Sequence, residues 1–112
     1  MKLIQIAEAL ESEVAYGPAG WEQINIESFF ASDLMSDVLM SDCDEMLVIT
    51  SLSTEQSIRS AGIVGSEAVI IANSKTVTAG MITLARELNV ALLCTVFPKY
   101  ESCVRLGRIM EP

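Results

Sequence analysis

Residues 46–56 read Met46-Leu47-Val48-Ile49-Thr50-Ser51-Leu52-Ser53-Thr54-Glu55-Gln56. Met46 to Ile49 has no polar position, so the strand it predicts is covered on both faces. Ser53-Thr54-Glu55-Gln56 has the spacing of a capping box and starts a helix directly afterwards. A strand buried on both sides that runs into a helix is the repeating unit of a parallel sheet.

The unit recurs downstream. Ala68-Val69-Ile70-Ile71-Ala72 and Val90-Ala91-Leu92-Leu93-Cys94 are further strands apolar on both faces. Gly62 and Gly65 bracket the end of the helix before the second strand. Thr78 begins the next helix, with Met81, Ile82, Ala85 and Leu88 as its buried stripe. Asn89 tolerates the left-handed conformation that stops it. After the third strand, Pro98 suits a first helical turn, and Cys103, Leu106 and Met110 share one face of the final helix.

Upstream, Leu3, Ile6, Ala7 and Leu10 give a short amphipathic helix over residues 3–10. Glu13 to Tyr16 reads as a small strand, followed by a turn at Gly17-Pro18. Trp21, the single tryptophan, reads as a core anchor. Ile24, Ile26 and Ser28 alternate with Asn25 and Glu27 as a strand would, and Phe29-Phe30-Ala31 continues as a more buried run. Ser32 is placed to cap a helix with Asp33 in its first turn and Leu34, Met35, Val38 and Leu39 on its apolar face. That helix puts Asp33 and Asp37 on one face. The acidic segment Asp42 to Glu45 ends it as a solvated turn.

The expected architecture is therefore an α/β fold, a small three-layer domain with a mostly parallel sheet. The 112 residues suit one domain spanning 1–112. At 51% hydrophobic and only 20% charged, the chain can bury a core, and its sparse charge suggests that a second copy or a partner covers part of the surface. A homodimer is the expected assembly.

Charge narrows the partners. The net charge of −8 repels phosphate backbones and anionic lipid heads, so neither nucleic acid nor a membrane is expected. Residues 1–56 hold eleven acids and one base, whereas 57–112 hold four acids and six bases. Opposite signs of this kind orient a dimer, or attract one another within one domain. No apolar run reaches the length of a membrane span and no signal peptide is visible, which makes a cytoplasmic protein the expectation.

Catalytic templates are missing. The chain has no histidine, so neither a Ser-His-Asp nor a Cys-His arrangement can be built, and a conventional zinc site is not expected. No P-loop pattern occurs, and Gly62-Ile63-Val64-Gly65 precedes a strand where a dinucleotide loop would follow one. Cys94 and Cys103 read as small core residues. Cys43 lies among Asp42, Asp44 and Glu45, which disfavour a thiolate. No catalytic residue, cofactor or metal is assigned.

A parallel sheet places ligands beyond the carboxyl ends of its strands. The junctions there are Ser32-Asp33, Thr50 to Thr54, Asn73 to Thr76, and Thr95 to Phe97. They are rich in hydroxyls and amides, which hold small polar ligands but also serve as ordinary caps and turn formers. Lys75 adds a cation suited to a phosphate or carboxylate.

Ala31-Ser32-Asp33-Leu34-Met35-Ser36-Asp37-Val38-Leu39 resembles the "SDLLSDV" stretch of the DRTGG domain family. Leu47 to Thr50, Ala68 to Ile71, and Leu92-Leu93 near Thr95 follow in the order that family shows. The resemblance implies a fold similar to the N-terminal domain of HPr kinase/phosphorylase. It also implies an accessory or sensing role, as in members beside CBS-type domains or stand-alone members associated with iron-only hydrogenase. The motif that names the family is absent, since the corresponding region reads Glu22 to Phe30. Ser32, Asp33, Ser36 and Asp37 are the residues that match.

The ligand-binding candidates are thus Ser32, Asp33, Ser36, Asp37, Thr50, Ser51, Asn73, Lys75 and Thr95. The favoured function is a non-enzymatic regulatory or accessory domain binding a small polar ligand or a protein partner. The alternatives are a small enzyme acting on a phosphorylated or carboxylated metabolite, and a structural subunit of a redox complex.

Overall fold

The computed structural model describes residues 1–110. Five strands form one sheet: β1 (Glu13–Tyr16), β2 (Ser28–Ala31), β3 (Met46–Thr50), β4 (Ala68–Ile71) and β5 (Ala91–Cys94), in the order β1-β5-β4-β3-β2. The four strands from β2 to β5 run parallel in an unbroken register. Leu47 pairs with Ala68 and Ala68 with Ala91, so the three all-apolar segments lie side by side. β1 joins the β5 edge antiparallel.

Period-two alternation divides the strand side chains between two cores. Leu47, Ile49, Ala68, Ile70, Ala91 and Leu93 face one side, where α1 (Leu3–Ala9) and α5 (Lys99–Met110) cover them. Met46, Val48, Val69, Ile71 and Leu92 face the other side, beneath α2 (Met35–Leu39), α3 (Glu55–Ile63) and α4 (Ala79–Leu88). The three layers are those expected from strands with no polar face.

Several local expectations are corrected. Ile24 and Ile26 do not belong to a strand. Trp21–Gln23 is a 3-10 turn, Asn25 makes one isolated bridge to Lys2, and β2 begins only at Ser28. The alternation there comes from Ile26 tucking beneath α1, with its N–H donating to the Met1 carbonyl at 2.8 Å. Trp21 anchors this turn against the first core, and its ring lies so close to Gly17 that a Cβ there would sit 2.5 Å from Cδ1.

Ser32 does not cap α2. The chain bends at Asp33 and is extended at Leu34, the residue preceding the helix, so Asp33 lies outside it and shares no helical face with Asp37. Met35 and Val38 are buried as expected, but Leu34 (58% exposed) and Leu39 (43%) are not. Ser53 does not cap α3 either. Thr54 accepts from the Ser57 N–H, while the Ser53 hydroxyl donates to the Thr76 carbonyl. In α4, Leu88 is 41% exposed rather than part of a buried stripe, although it packs over Gly62. Thr78 and Asn89 bound α4 as read, with Asn89 left-handed at φ +57°.

Candidate functional site

Where the polypeptide leaves each parallel strand is set by the side its next helix must cover. From β4 the chain crosses to α4 on one face, and from β5 it crosses to α5 on the other. Neighbouring strands whose connections diverge to opposite faces leave a crevice beyond their carboxyl ends. A cleft of about 220 Å³ lies there, lined by Ser74 and Lys75 after β4, by Cys94, Thr95 and Val96 at the end of β5, and by Glu11 and Glu13.

The β4–α4 turn that forms one wall is strained. Asn73 and Ser74 both have positive φ (+69° and +56°), a conformation that costs a residue with a Cβ about 1–2 kcal/mol. Bonds from across the crevice hold it. The Asn73 N–H donates to the Phe97 carbonyl at 2.8 Å, and the Ser74 N–H to the Thr95 carbonyl at 3.1 Å. These bonds fix the backbone from which Lys75 projects at the cleft.

The opposite wall comes from the antiparallel strand. Glu13 pairs with Cys94, so the start of β1 lies beside the carboxyl end of β5. Glu11, also at positive φ, accepts a 3.6 Å ion pair from Arg105. Between the two glutamates, the Ser12 hydroxyl oxygen is buried without a partner, leaving unused hydrogen-bonding capacity in this segment. Burial and the adjacent Glu13 carboxylate push the Cys94 thiol above its ordinary value. The cleft is therefore lined by one ammonium, Lys75, by two carboxylates, of which Glu11 is paired with Arg105, and by a thiol held toward its protonated form.

Thr95 belongs to the cleft, but its hydroxyl is engaged within the fold. It donates to the Leu10 carbonyl at 2.6 Å and accepts from the Phe97 N–H at 3.3 Å. This ties the end of α1 to the end of β5.

A second set of candidates converges at the ends of β2 and β3. Asp33 accepts from the Ser51 N–H at 2.6 Å and the Thr50 hydroxyl at 3.0 Å, and pairs with Lys99 Nζ at 3.0 Å. Burial alone would raise the Asp33 pKa, but the Ser51 N–H, Lys99 and Thr50 together hold it below the usual carboxylate value. Asp33 is thus a strap between β2, β3 and α5, with its oxygens already in use. The acidic N-terminal half and basic C-terminal half do attract one another within the domain, through Asp33–Lys99 and Glu11–Arg105.

The sign of the Asp33 shift fixes an acid-limb prediction. Its folded pKa lies below its unfolded one, so the strap's contribution is complete above the unfolded value of 3.8 and is lost as pH falls through the folded value. Asp33→Asn should remove that part of the acid-limb slope. Because the pair is part exposed, the loss near neutrality should stay within about 1 kcal/mol. Urea titrations of both proteins at successive pH values below 5 would measure it.

The remaining candidates join neither group. The Ser32 hydroxyl accepts from the Leu34 N–H at 3.0 Å, which shapes the loop before α2. Ser36 and Asp37 are exposed on α2. Among the described residues no three cysteine, aspartate or glutamate side chains converge as metal ligands. Sequence reasoning missed Glu11, Glu13 and Lys99. The predicted strand at 13–16 was the available signal for the glutamates, but nothing local showed which edge it joins.

No protein-family model matches the chain, and no curated protein matches it in sequence. Solved structures do resemble it in fold. One is the crystal structure of the CBS and DRTGG domains of the regulatory region of Clostridium perfringens pyrophosphatase, complexed with its activator, diadenosine tetraphosphate. It matches with a TM-score of 0.73 at 13% identity, over 94% of this chain and 45% of that one. This chain therefore spans less than half of the matched chain's length. At such identity the likeness is one of fold, and that fold is the DRTGG-like α/β domain that residues 31–50 resemble.

Proposed function

We propose that this chain, as a single DRTGG-like domain over residues 1–112, is a non-enzymatic regulatory or accessory module whose ligand site is the cleft between the ends of β4 and β5. The observation that carries the reading is that Lys75, Glu11 and Glu13 line one cleft, at the one place among the described residues where adjacent parallel strands send their connections to opposite faces. A small polar molecule with one anionic group for Lys75 and amine or hydroxyl donors for the glutamates fits this arrangement. The volume is below the roughly 300–1,000 Å³ of a site that encloses a drug-sized ligand. A compact metabolite, or one group of a larger molecule, is the appropriate size.

Regulation rather than catalysis is supported by the same residues. Lys75 shares the cleft with carboxylates and no activated nucleophile, and burial disfavours the Cys94 thiolate. The fold relative is a regulatory region bound to a nucleotide activator, which puts nucleotides on the panel to be tested. The low fraction of charged residues supports a homodimer. An iron-only-hydrogenase-associated setting is supported by the resemblance at residues 31–50, and a cytoplasmic one by the absence, among the described residues, of a helix long and apolar enough to cross a membrane.

Isothermal titration with amino acids, small phosphate esters, mononucleotides and diadenosine tetraphosphate tests the site. At least one zwitterionic or singly phosphorylated compound should bind. Lys75→Ala should weaken that binding by about 10–100-fold, the worth of one charge-assisted contact of roughly 1.5–3 kcal/mol. Unchanged affinity in the variant would move the ligand elsewhere.

A further inference from the structure

The cleft at the ends of β4 and β5 carries two charges that the fold leaves unused. Among the described residues, neither Lys75 nor the Glu13 carboxylate makes an ion pair or a side-chain hydrogen bond. Glu11 is different, because it is paired with Arg105, which also bonds Glu101 and lies 3.7 Å over the Phe97 ring. In the sheet order β5 stands between β1 and β4. Two strand spacings of about 4.8 Å therefore set the glutamate wall and the lysine wall about 10 Å apart. A molecule lying across the end of β5 spans them.

The neutral donors around the cleft are largely spent. The Asn73, Ser74 and Thr95 N–H groups donate to the Phe97, Thr95 and Ile71 carbonyls, and the Phe97 N–H to the Thr95 hydroxyl. The Ser74 hydroxyl donates to the Val96 carbonyl. A phosphate monoester brings about two negative charges and three acceptor oxygens, and needs several such donors. Here it would meet one ammonium and the Glu13 carboxylate. A carboxylate needs only the ammonium. Val96, 64% exposed, adds an apolar flank. A larger groove of about 440 Å³ lies between β2 and α5, but Phe29, Ala31, Ile49, Cys103 and Leu106 make most of its lining, and no cation among the described residues joins them.

We infer that the cleft takes a compact amino acid, with its carboxylate on Lys75 and its ammonium on Glu13, and that it disfavours phosphorylated ligands. With Glu11 neutralised by Arg105, the two unused charges sum to zero, and a zwitterion matches both. A simple carboxylate gains at Lys75 and is repelled by Glu13. A simple amine gains at Glu13 and is repelled by Lys75. Only a molecule carrying both signs gains at both walls. The volume of about 220 Å³ is that of roughly seven waters, which suits a molecule of this size. The inference rests on the ligand site proposed above and names the class of its ligand.

Titration of the full chain, read by amide chemical shifts, tests it with glycine, β-alanine and 4-aminobutyrate beside acetate, methylamine, inorganic phosphate and adenosine monophosphate. At least one of the three amino acids should shift Glu13, Ser74, Lys75 and Val96. It should bind about 10-fold or more tighter than acetate or methylamine. Glu13→Lys and Lys75→Glu should each weaken it about 10-fold or more. The double exchange returns one charge of each sign to the cleft and should restore most of the binding, a rescue that a purely structural role does not give. If the exchanged variants fail to fold, Glu13→Gln, Lys75→Gln and the probe series decide. Phosphate or adenosine monophosphate shifting these amides while no amino acid does would keep the ligand site and overturn its class. Amino acids that bind no tighter than acetate or methylamine would also overturn it. No shift in the cleft with any probe would overturn the site and its class together.

Discussion

Replacing Ile70 by alanine should cost about 3–5 kcal/mol of folding stability, the upper part of the range for truncating a buried isoleucine. Ile70 lies on β4, the middle strand of the sheet, between Ile49 and Leu93, and is fully buried in the core beneath α1 and α5. Two hydrogen-bonded neighbours and a helical layer prevent the surroundings from closing over the lost volume. Domains of this size are stable by roughly 5–15 kcal/mol. The change should therefore lower the thermal midpoint by roughly 15–30 °C. Urea denaturation followed by circular dichroism would measure it, with Ile70→Val as a control costing about 0.5–1.5 kcal/mol. Equal losses in the two variants would mean that β4 is not the packed centre described here.

Thr95→Val should be the more informative substitution, because it keeps the shape and removes only the hydroxyl. The Leu10 carbonyl and the Phe97 N–H would both lose their partner. Thr95 is only 3% exposed, so water reaches neither group easily. A buried unsatisfied group costs about 1–3 kcal/mol, and two should together cost about 2–4 kcal/mol. Thr95→Ser keeps the hydroxyl and should cost about 1 kcal/mol for the lost methyl. Hydrogen exchange at the end of α1 should accelerate in the valine variant only. A valine variant as stable as the parent would show that Thr95 does not tie α1 to β5, and would leave its hydroxyl for a ligand.

What was legible in the sequence is what local hydrophobicity dictates. Met46–Ile49, Ala68–Ile71 and Ala91–Cys94 carry no polar face, and such segments have few places to lie except between two layers of helices. Asn89 and Thr78 were readable because caps follow from backbone geometry. The misreadings arise where distant parts of the chain decide. Ile24 and Ile26 alternate because α1 lies over them, not because a ladder holds them. Asp33 is kept out of α2 by Ser51, Thr50 and a lysine that lies far along the chain. Half of the cleft was found from Lys75, Thr95 and the strand-end rule. The other half, Glu11 and Glu13, depends on β1 joining the β5 edge antiparallel, a pairing that no local pattern encodes.

Mapping amide chemical shifts while the metabolite panel is titrated tests the central claim most directly. The account predicts that a bound compound moves the amides of Ser74, Lys75, Thr95 and Val96 together with Glu11 and Glu13, and leaves the Asp33–Thr50–Ser51 strap largely still. Shifts centred on that strap or on the β2–α5 groove, or no shifts with any compound, would contradict it.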